Sequence, residues 1–85
     1  MDDIFINNYP SIDIHGVDSK TAVYLCKNFI EDNLILKNKY IVVIHGKGQG
    51  ILRKEIHKYL NRDKCVKSYK LNGFNIGITI IELIL

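Results

Sequence analysis

Five consecutive apolar residues, Tyr40–Ile44, stand between two segments with helical periodicity, and this arrangement most constrains the fold. An uninterrupted apolar run of this length is typical of a strand buried on both faces. Apolar residues recur every three or four positions over residues 20–36 before the run, and again over Ile51–Leu60 after it. Alternation of helix and strand predicts parallel strands joined by right-handed crossovers.

The remaining segments complete a small sheet. Residues 11–15 alternate apolar and polar side chains, as in a strand with one buried face, and Asp18 or Ser19 can cap the helix that follows. Residues 65–71 and 76–85 read as a pair of strands joined by a turn at 72–75, close enough for an antiparallel hairpin. We therefore predict an α/β two-layer sandwich of order βαβαββ, with a four-stranded mixed sheet and two helices.

Composition excludes several classes of protein. The 85 residues suit one small domain, which we assign to residues 11–85 after an N-terminal extension at 1–10. The most apolar stretch, 76–85, is too short to span a membrane and carries Glu82. Cys26 and Cys65 lie far apart without metal-binding spacing, and the N-terminus lacks the pattern of a signal peptide. These features predict a reduced, cytoplasmic protein that does not contact membranes.

The positive charge is concentrated in one part of the chain. Eight of the twelve Lys and Arg residues lie between positions 47 and 70, against only two acidic residues there. A basic patch favours a polyanionic partner, with nucleic acid first. A solvated lysine-rich surface explains the charge alone equally well.

Two loops with reactive side chains follow the first two predicted strands, and ligands bind at that edge of open α/β sheets. In the first loop, Asp13 and His15 are two residues apart on a strand and therefore share a face. A carboxylate in this position orients an imidazole and selects its tautomer. An ion pair at a strand end is the purely structural alternative.

The second loop resembles a phosphate-binding turn. Gly46, Gly48 and Gly50 surround Lys47 and precede a helix, whose N-terminus attracts anions. The spacing matches neither a Walker loop nor the dinucleotide fingerprint, so ATP and NAD are poorly supported. A glycine-rich turn that only packs strand against helix is the alternative.

The second predicted helix has a basic face. Arg53, Lys54 and Lys58 lie on it and can follow a nucleic-acid backbone. We place His57 on the same face as a surface residue, with a phosphate contact as the functional alternative. Tyr69, on the next strand, is expected to be structural rather than a base-stacking residue.

These motifs resemble those of the Smr (small MutS-related) domain. Ile12-Asp13-Ile14-His15-Gly16 is similar to the family's "LDLHG" motif, and His45-Gly46-Lys47-Gly48 to its "HGxG" motif. The following residues, 49–54, look like its "GTGxLRK" run, and residues 66–69 and 77–83 look like its "VKSFR" and "GVTVVEL" ending. The resemblance covers residues 11–85. One departure is the segment 73–77, which keeps only part of the family's "GGxGVT" pattern.

The resemblance implies a βαβαββ fold, nucleic-acid binding and, in many members, endonuclease activity on DNA or RNA. The motifs carry over residue by residue to the following positions: Asp13, His15, Gly16, His45, Gly46, Lys47 and Gly48. The similarity is greatest to Smr domains at the C-terminus of bacterial MutS-type proteins that act in recombination control or ribosome rescue. The resemblance fits a domain of a longer chain, with the ribosome as one partner through that chain, and it fits a stand-alone version of the domain as well.

The side chains available favour acid–base chemistry. One of His15 and His45 would deprotonate a hydroxyl while the other protonates the leaving oxygen, with Asp13 orienting His15 and Lys47 stabilising the phosphate. Such a site favours RNA, whose 2′-hydroxyl is a built-in nucleophile. A single Mg²⁺ on Asp13 that positions water for DNA cleavage is the enzymatic alternative. A non-catalytic nucleic-acid-binding module is the principal non-enzymatic alternative, and a protein–protein adaptor is a further one.

Overall fold

The computed structural model describes residues 8–85 and has the predicted βαβαββ order. The elements are β1 (Ser11–Asp13), α1 (Ser19–Ile35), β2 (Tyr40–Ile44), α2 (Ile51–Leu60), β3 (Val66–Leu71) and β4 (Ile78–Leu83). No helix in this part of the chain has the length and apolar character needed to cross a bilayer.

The four strands form one mixed sheet in the order β1-β2-β4-β3. β1 and β2 are parallel, whereas β4 lies between β2 and β3 and is antiparallel to both. The register pairs Asp13 with Ile44, and Ile44 with Ile78. The ends of β1 and β2 therefore meet the start of β4 at one edge of the sheet.

Both helices cover the same face of this sheet. Residues 41 and 43 of β2 and residues 81 and 83 of β4 point to that face by strand alternation. They form a single core with side chains of α1 and α2, namely Ile41, Val43, Ile81, Leu83, Ala22, Cys26, Ile30, Ile56 and Leu60, together with Ile14. Each fully buried Ile or Leu stabilises the fold by about 1.5–3 kcal/mol relative to an exposed one. The two-layer prediction is confirmed.

The ends of α1 follow from local side-chain chemistry. The Asp18 carboxylate accepts a hydrogen bond from the Thr21 amide at 3.0 Å, which confirms one of the two predicted caps. At the other end Asn33 is buried, donates to the Phe29 carbonyl at 2.8 Å and accepts from Asn38 at 2.9 Å. These bonds satisfy polar groups where the helix turns into β2.

The structure shortens three predicted strands. β1 ends at Asp13 instead of residue 15, β3 begins at Val66 instead of residue 65, and β4 covers Ile78–Leu83 instead of 76–85. The later start of β4 arises because the side-chain oxygen of Asn72 accepts from the amides of Phe74 and Asn75, at 2.6 and 3.0 Å. Those bonds confirm the predicted turn at 72–75, and the structure extends it through residue 77.

Only the last residues of the predicted extension, 1–10, belong to the described part of the chain. The Tyr9 ring packs against Tyr40 at 5.4 Å between centroids, and the Pro10 carbonyl accepts from the Val42 amide at 2.9 Å. These contacts attach residues 9 and 10 to β2. Residues 1–7 lie outside the described residues.

Candidate functional site

A groove of about 310 Å³ opens at the sheet edge where β1 and β2 end. We call it the loop groove. It is lined by His15, Gly16 and the continuous segment from His45 to Arg53. The two loops singled out in the sequence therefore do line one site, as the parallel pairing of β1 and β2 requires.

Asp13 forms a hydrogen-bonded pair with His15, which lines the groove. Asp13 Oδ1 lies 2.5 Å from His15 Nδ1 and also accepts from the His15 backbone amide at 3.1 Å. Both side chains are exposed, at 50% and 69% of their surfaces. The side-chain and backbone hydrogen bonds from His15 lower the pKa of the Asp13 carboxyl. The carboxylate accepts the Nδ1 proton, so the neutral ring presents its Nε2 lone pair to solvent.

Gly46 allows the two loops to approach each other. Its φ of +86° is in the left-handed region, and a Cβ there would lie 3.2 Å from the Cβ of His15. The carbonyl of Gly77 accepts from the amides of His45 and Gly46 at 2.9 and 3.0 Å. The turn that precedes β4 is thereby bonded to the second loop.

His45 has a different environment from His15. Its side chain is buried, with only 3% of the residue exposed, and both ring nitrogens have partners. Nδ1 lies 3.0 Å from the Gly46 carbonyl, and Nε2 lies 2.7 Å from Thr79 Oγ1. The same Thr79 hydroxyl lies 2.7 Å from His57 Nε2. One threonine therefore joins two histidines.

The donors in this network can be assigned from the chemistry of the partners. The Gly46 carbonyl only accepts, so His45 Nδ1 donates to it. The neutral ring then accepts the Thr79 hydroxyl proton at Nε2, and the Thr79 oxygen accepts from His57 Nε2–H. Protonation of His45 would place a second N–H against this hydroxyl.

Burial favours the neutral form of both rings in the network. It lowers the pKa of His45, and the positive charge of Arg53 adds to the effect although the Gly46 carbonyl opposes it. Burial likewise lowers the pKa of His57, with further contributions from His45 and Arg53. The network is therefore an internal support for the second loop rather than an exposed acid or base.

The N-terminus of α2 supplies hydrogen-bond donors to the groove. Its first helical bond joins the Lys54 amide to the Gly50 carbonyl at 3.0 Å, so the amides of residues 51–53 have no partner within the helix. Gly50 is the N-cap and has no side chain to bond them. The Arg53 side chain lies close to Gly50. A Cβ on that glycine would be 2.9 Å from Arg53 Nη2. Lys47 lines the groove as an exposed residue.

The other predicted basic residues lie apart from this cluster. Lys54 and Lys58 are exposed on α2 and do not line the groove, whereas Arg53 does. Gly16 and Gly48 line the groove with the remaining glycines of the two motifs. The predicted residues therefore divide into a groove set and an outer pair of lysines.

Two details of the sequence interpretation change. His57 is half-buried instead of fully exposed, because it faces β4, where it bonds Thr79 and packs on the Tyr69 ring at 4.7 Å. Thr79 itself was missed. Its only signal in the sequence is that it is the polar residue among the isoleucines of residues 76–81. Tyr69 is half-buried and donates to Asn61 at 2.8 Å, in agreement with a structural role.

The acidic and metal-binding side chains are spread out. Within residues 8–85, no group of three or more His, Cys, Asp and Glu side chains converges. The carboxylate at the groove is Asp13, whose two bonds with His15 both use Oδ1. A cation at this site would therefore depend on Asp13, water and the substrate.

Comparisons with known proteins agree with the fold and the motifs. The family model of the Smr domain matches residues 12–83. The chain is 41% identical over 75 residues to endonuclease MutS2 of Clostridium tetani, and 34% identical over 76 residues to that of Clostridium perfringens. These matches cover 85% and 89% of this chain but only 10% of each relative, so the chain spans about a tenth of their length.

Solved structures show the same architecture. The crystal structure of the Smr domain of Thermus thermophilus MutS2 superposes with a TM-score of 0.85 at 29% identity, over 89% of this chain and 99% of that one. YdaL, a stand-alone small MutS-related protein from Escherichia coli, has a TM-score of 0.80 at 22% identity, over 88% and 66%; that match concerns the fold alone. With its motifs, fold and family match in agreement, the chain belongs to the Smr domain family and is homologous to the Smr domain of endonuclease MutS2.

Proposed function

We propose that this Smr domain binds nucleic acid and cleaves phosphodiester bonds, with RNA as the favoured substrate. The observation that carries the proposal is the exposed Asp13–His15 pair beside a groove that ends in unpaired helix amides. The names of the related endonucleases support the same class of reaction.

The groove suits a phosphate group. The amides of residues 51–53 are directed from a helix N-terminus, where backbone dipoles favour an anion. Lys47 and Arg53 add positive charge beside them. We infer that these groups hold the scissile phosphate and stabilise the charge that develops on it. The exposed Lys54 and Lys58 then contact phosphates farther along the strand.

His15 acts as the proton acceptor in this proposal. Asp13 accepts the Nδ1 proton, as a carboxylate does for the histidine of a catalytic triad, and leaves Nε2 to take the proton of a 2′-hydroxyl. The deprotonated oxygen attacks the adjacent phosphorus and displaces the 5′ oxygen. His45 is too buried to protonate that oxygen directly, so we assign this step to water in the groove, which Lys47, Gly48 and Gln49 leave exposed.

A metal-dependent version is the second enzymatic candidate. Among the described residues none bonds Asp13 Oδ2, so this oxygen is available to a Mg²⁺ ion that also binds substrate phosphate. Water on such an ion would attack the phosphate of branched or nicked DNA, which lacks the 2′-hydroxyl. Cleavage that is lost in chelator favours this version.

A non-catalytic binding module is the remaining candidate. It is favoured by the burial of His45, which leaves His15 as the exposed histidine of the groove. The module would bind phosphates in the groove. A longer parent chain would supply other activities and partners, the ribosome among them. It predicts binding that weakens as salt rises, without cleavage under any condition.

One experiment separates these candidates. The purified chain is incubated with end-labelled single-stranded RNA and with branched DNA, each in Mg²⁺ and in chelator. The Asp13→Ala/His15→Ala variant runs beside it as a control for contaminating nuclease. RNA cleavage in chelator that the variant lacks supports the histidine mechanism, whereas cleavage only with Mg²⁺ supports the metal version. Salt-dependent binding without cleavage supports the module, and no binding at physiological salt contradicts all three.

The thiols fit the reducing compartment that we propose for the protein. Cys26 and Cys65 are both free. Burial raises the pKa of the Cys26 thiol to about 12, so this group is unreactive near neutral pH.

A further inference from the structure

The turn between β3 and β4, which is bonded to the second loop through Gly77, places an aromatic side chain in solvent. Phe74 is 78% exposed, and Ile76 in the same turn is 53% exposed. An exposed phenylalanine adds nothing to the core and leaves a large apolar surface in contact with water. This turn is also the segment in which the chain departs from the family's glycine-rich pattern.

The turn is well anchored although its side chains are exposed. Asn72 is buried, with 2% of its surface accessible, and its side-chain oxygen accepts from the Phe74 and Asn75 amides. The Asn75 side chain accepts from the Gly77 amide at 2.9 Å, and the Ile78 amide donates to the Asn75 carbonyl at 3.1 Å. The backbone bonds on both sides of Phe74 thus fix the site from which its ring projects.

The turn is joined directly to the groove. The Gly77 carbonyl bonds the amides of His45 and Gly46, and a Cβ on Gly77 would lie 3.1 Å from the Gly46 carbonyl carbon. Phe74 precedes Gly77 by three residues, which span roughly 11 Å at most. A nucleotide that flanks the one held in the groove is therefore within reach of Phe74.

We propose that Phe74 stacks on an unpaired base next to the scissile phosphate and so selects single-stranded over duplex nucleic acid. This inference rests on the proposed function, because it requires a phosphate in the loop groove. Every base offers a flat π-face to an aromatic ring, but only an unpaired base can leave its neighbours to stack there. The partner at this surface is thus an unpaired nucleobase.

The test measures affinity for a short single-stranded DNA and for a blunt duplex of the same sequence, at one salt concentration and in chelator. DNA without a 2′-hydroxyl remains intact during the titration. Phe74→Ala is compared with Phe74→Tyr, which keeps a stacking ring, and with Tyr24→Ala, which removes an aromatic side chain that is 63% exposed on α1. Thermal unfolding of each variant checks the fold.

We expect Phe74→Ala to weaken single-strand binding about 5- to 150-fold, the factor that corresponds to the usual effect of losing one base–aromatic stack. Duplex binding, Phe74→Tyr and Tyr24→Ala should stay near the wild-type values. Equal losses on single strand and duplex, or no loss on either, would overturn the role of Phe74 and leave the proposed function standing. If the wild-type chain binds neither DNA nor RNA, the proposed function fails and the role of Phe74 fails with it.

Discussion

The two loops at the sheet edge each carry a histidine, and the two rings are held in opposite ways. His15 is exposed and bonded to an exposed carboxylate, whereas His45 is buried and bonded through Thr79 to a second histidine. The first arrangement leaves a nitrogen free for substrate, and the second uses both nitrogens within the protein. Identical side chains in neighbouring motifs therefore differ in which ring atoms remain accessible, because their surroundings differ.

The largest expected effect is on catalysis at the exposed histidine. His15→Ala should lower cleavage of single-stranded RNA by at least about 100-fold, since general base catalysis contributes roughly that much or more. The melting temperature should change little because the side chain is exposed. Gel assays of end-labelled RNA and thermal unfolding measure the two effects. Cleavage at the wild-type rate would remove His15 from the mechanism.

The two histidines bonded to Thr79 should affect folding stability instead of catalysis. Thr79→Val keeps the shape of the side chain but removes the hydroxyl between His45 and His57, which leaves a buried ring nitrogen of His45 and a half-buried one of His57 unpaired. We expect the free energy of unfolding to fall by about 2 kcal/mol, which corresponds to a melting temperature lower by roughly 8 to 16 °C. Thr79→Ser, which retains the hydroxyl, is the matched control. A Thr79→Val variant as stable as Thr79→Ser would show that the network does not support the fold.

The pH dependence of folding stability also distinguishes His15 from the two histidines that are bonded to Thr79. Burial holds the pKa of His45 and of His57 below the ordinary 6.5, so the unfolded chain binds protons first as the pH falls. The contribution of the neutral His45 and His57 rings to folding stability is complete above pH 6.5 and is lost progressively below it. The melting temperature should therefore decline as the pH is lowered through this range, and equally so in His15→Ala. A decline that vanishes in His15→Ala would assign the titration to the exposed histidine instead.

The smallest expected effect concerns the lysines outside the groove. Lys54→Ala/Lys58→Ala should weaken nucleic-acid binding modestly and reduce its salt dependence by about one power of salt concentration for each phosphate that these lysines neutralise. Lys20→Ala/Lys27→Ala, which removes two exposed charges from α1, is the control. Binding isotherms at several salt concentrations measure the slopes. Equal slopes for the two double variants would show that α2 has no special part in binding.

Local sequence patterns predicted several elements of the fold and one pair of residues at the candidate site. The apolar run Tyr40–Ile44 and the helical spacing of Ile51–Leu60 predicted those two elements with their observed bounds. The spacing of Asp13 and His15 predicted that they share a face, and the structure shows their side chains hydrogen-bonded. Such patterns succeed because they depend on neighbours within a few residues, whose geometry is set by the period of a strand or a helix.

Other features depended on hydrogen bonds and packing that the pattern of apolar residues does not reveal. β4 begins two residues later than the apolar composition suggested, since the Asn72 side chain bonds the backbone of the preceding turn. His57 looked like part of a solvated face because its helical neighbours Arg53 and Lys58 are charged. Its hydrogen bond with Thr79 forms because α2 packs against β4, and these two residues lie twenty-two positions apart in the sequence.

The sequence by itself determined the order of elements, the two-layer class, the family motifs and the loops that line the groove. Only the tertiary structure decided that β4 lies between β2 and β3, and that Thr79 thereby reaches both His45 and His57. The physical reason is that the chemistry of a histidine depends on which groups desolvate it and bond it. Those groups come from strands and helices that are brought together only when the chain folds.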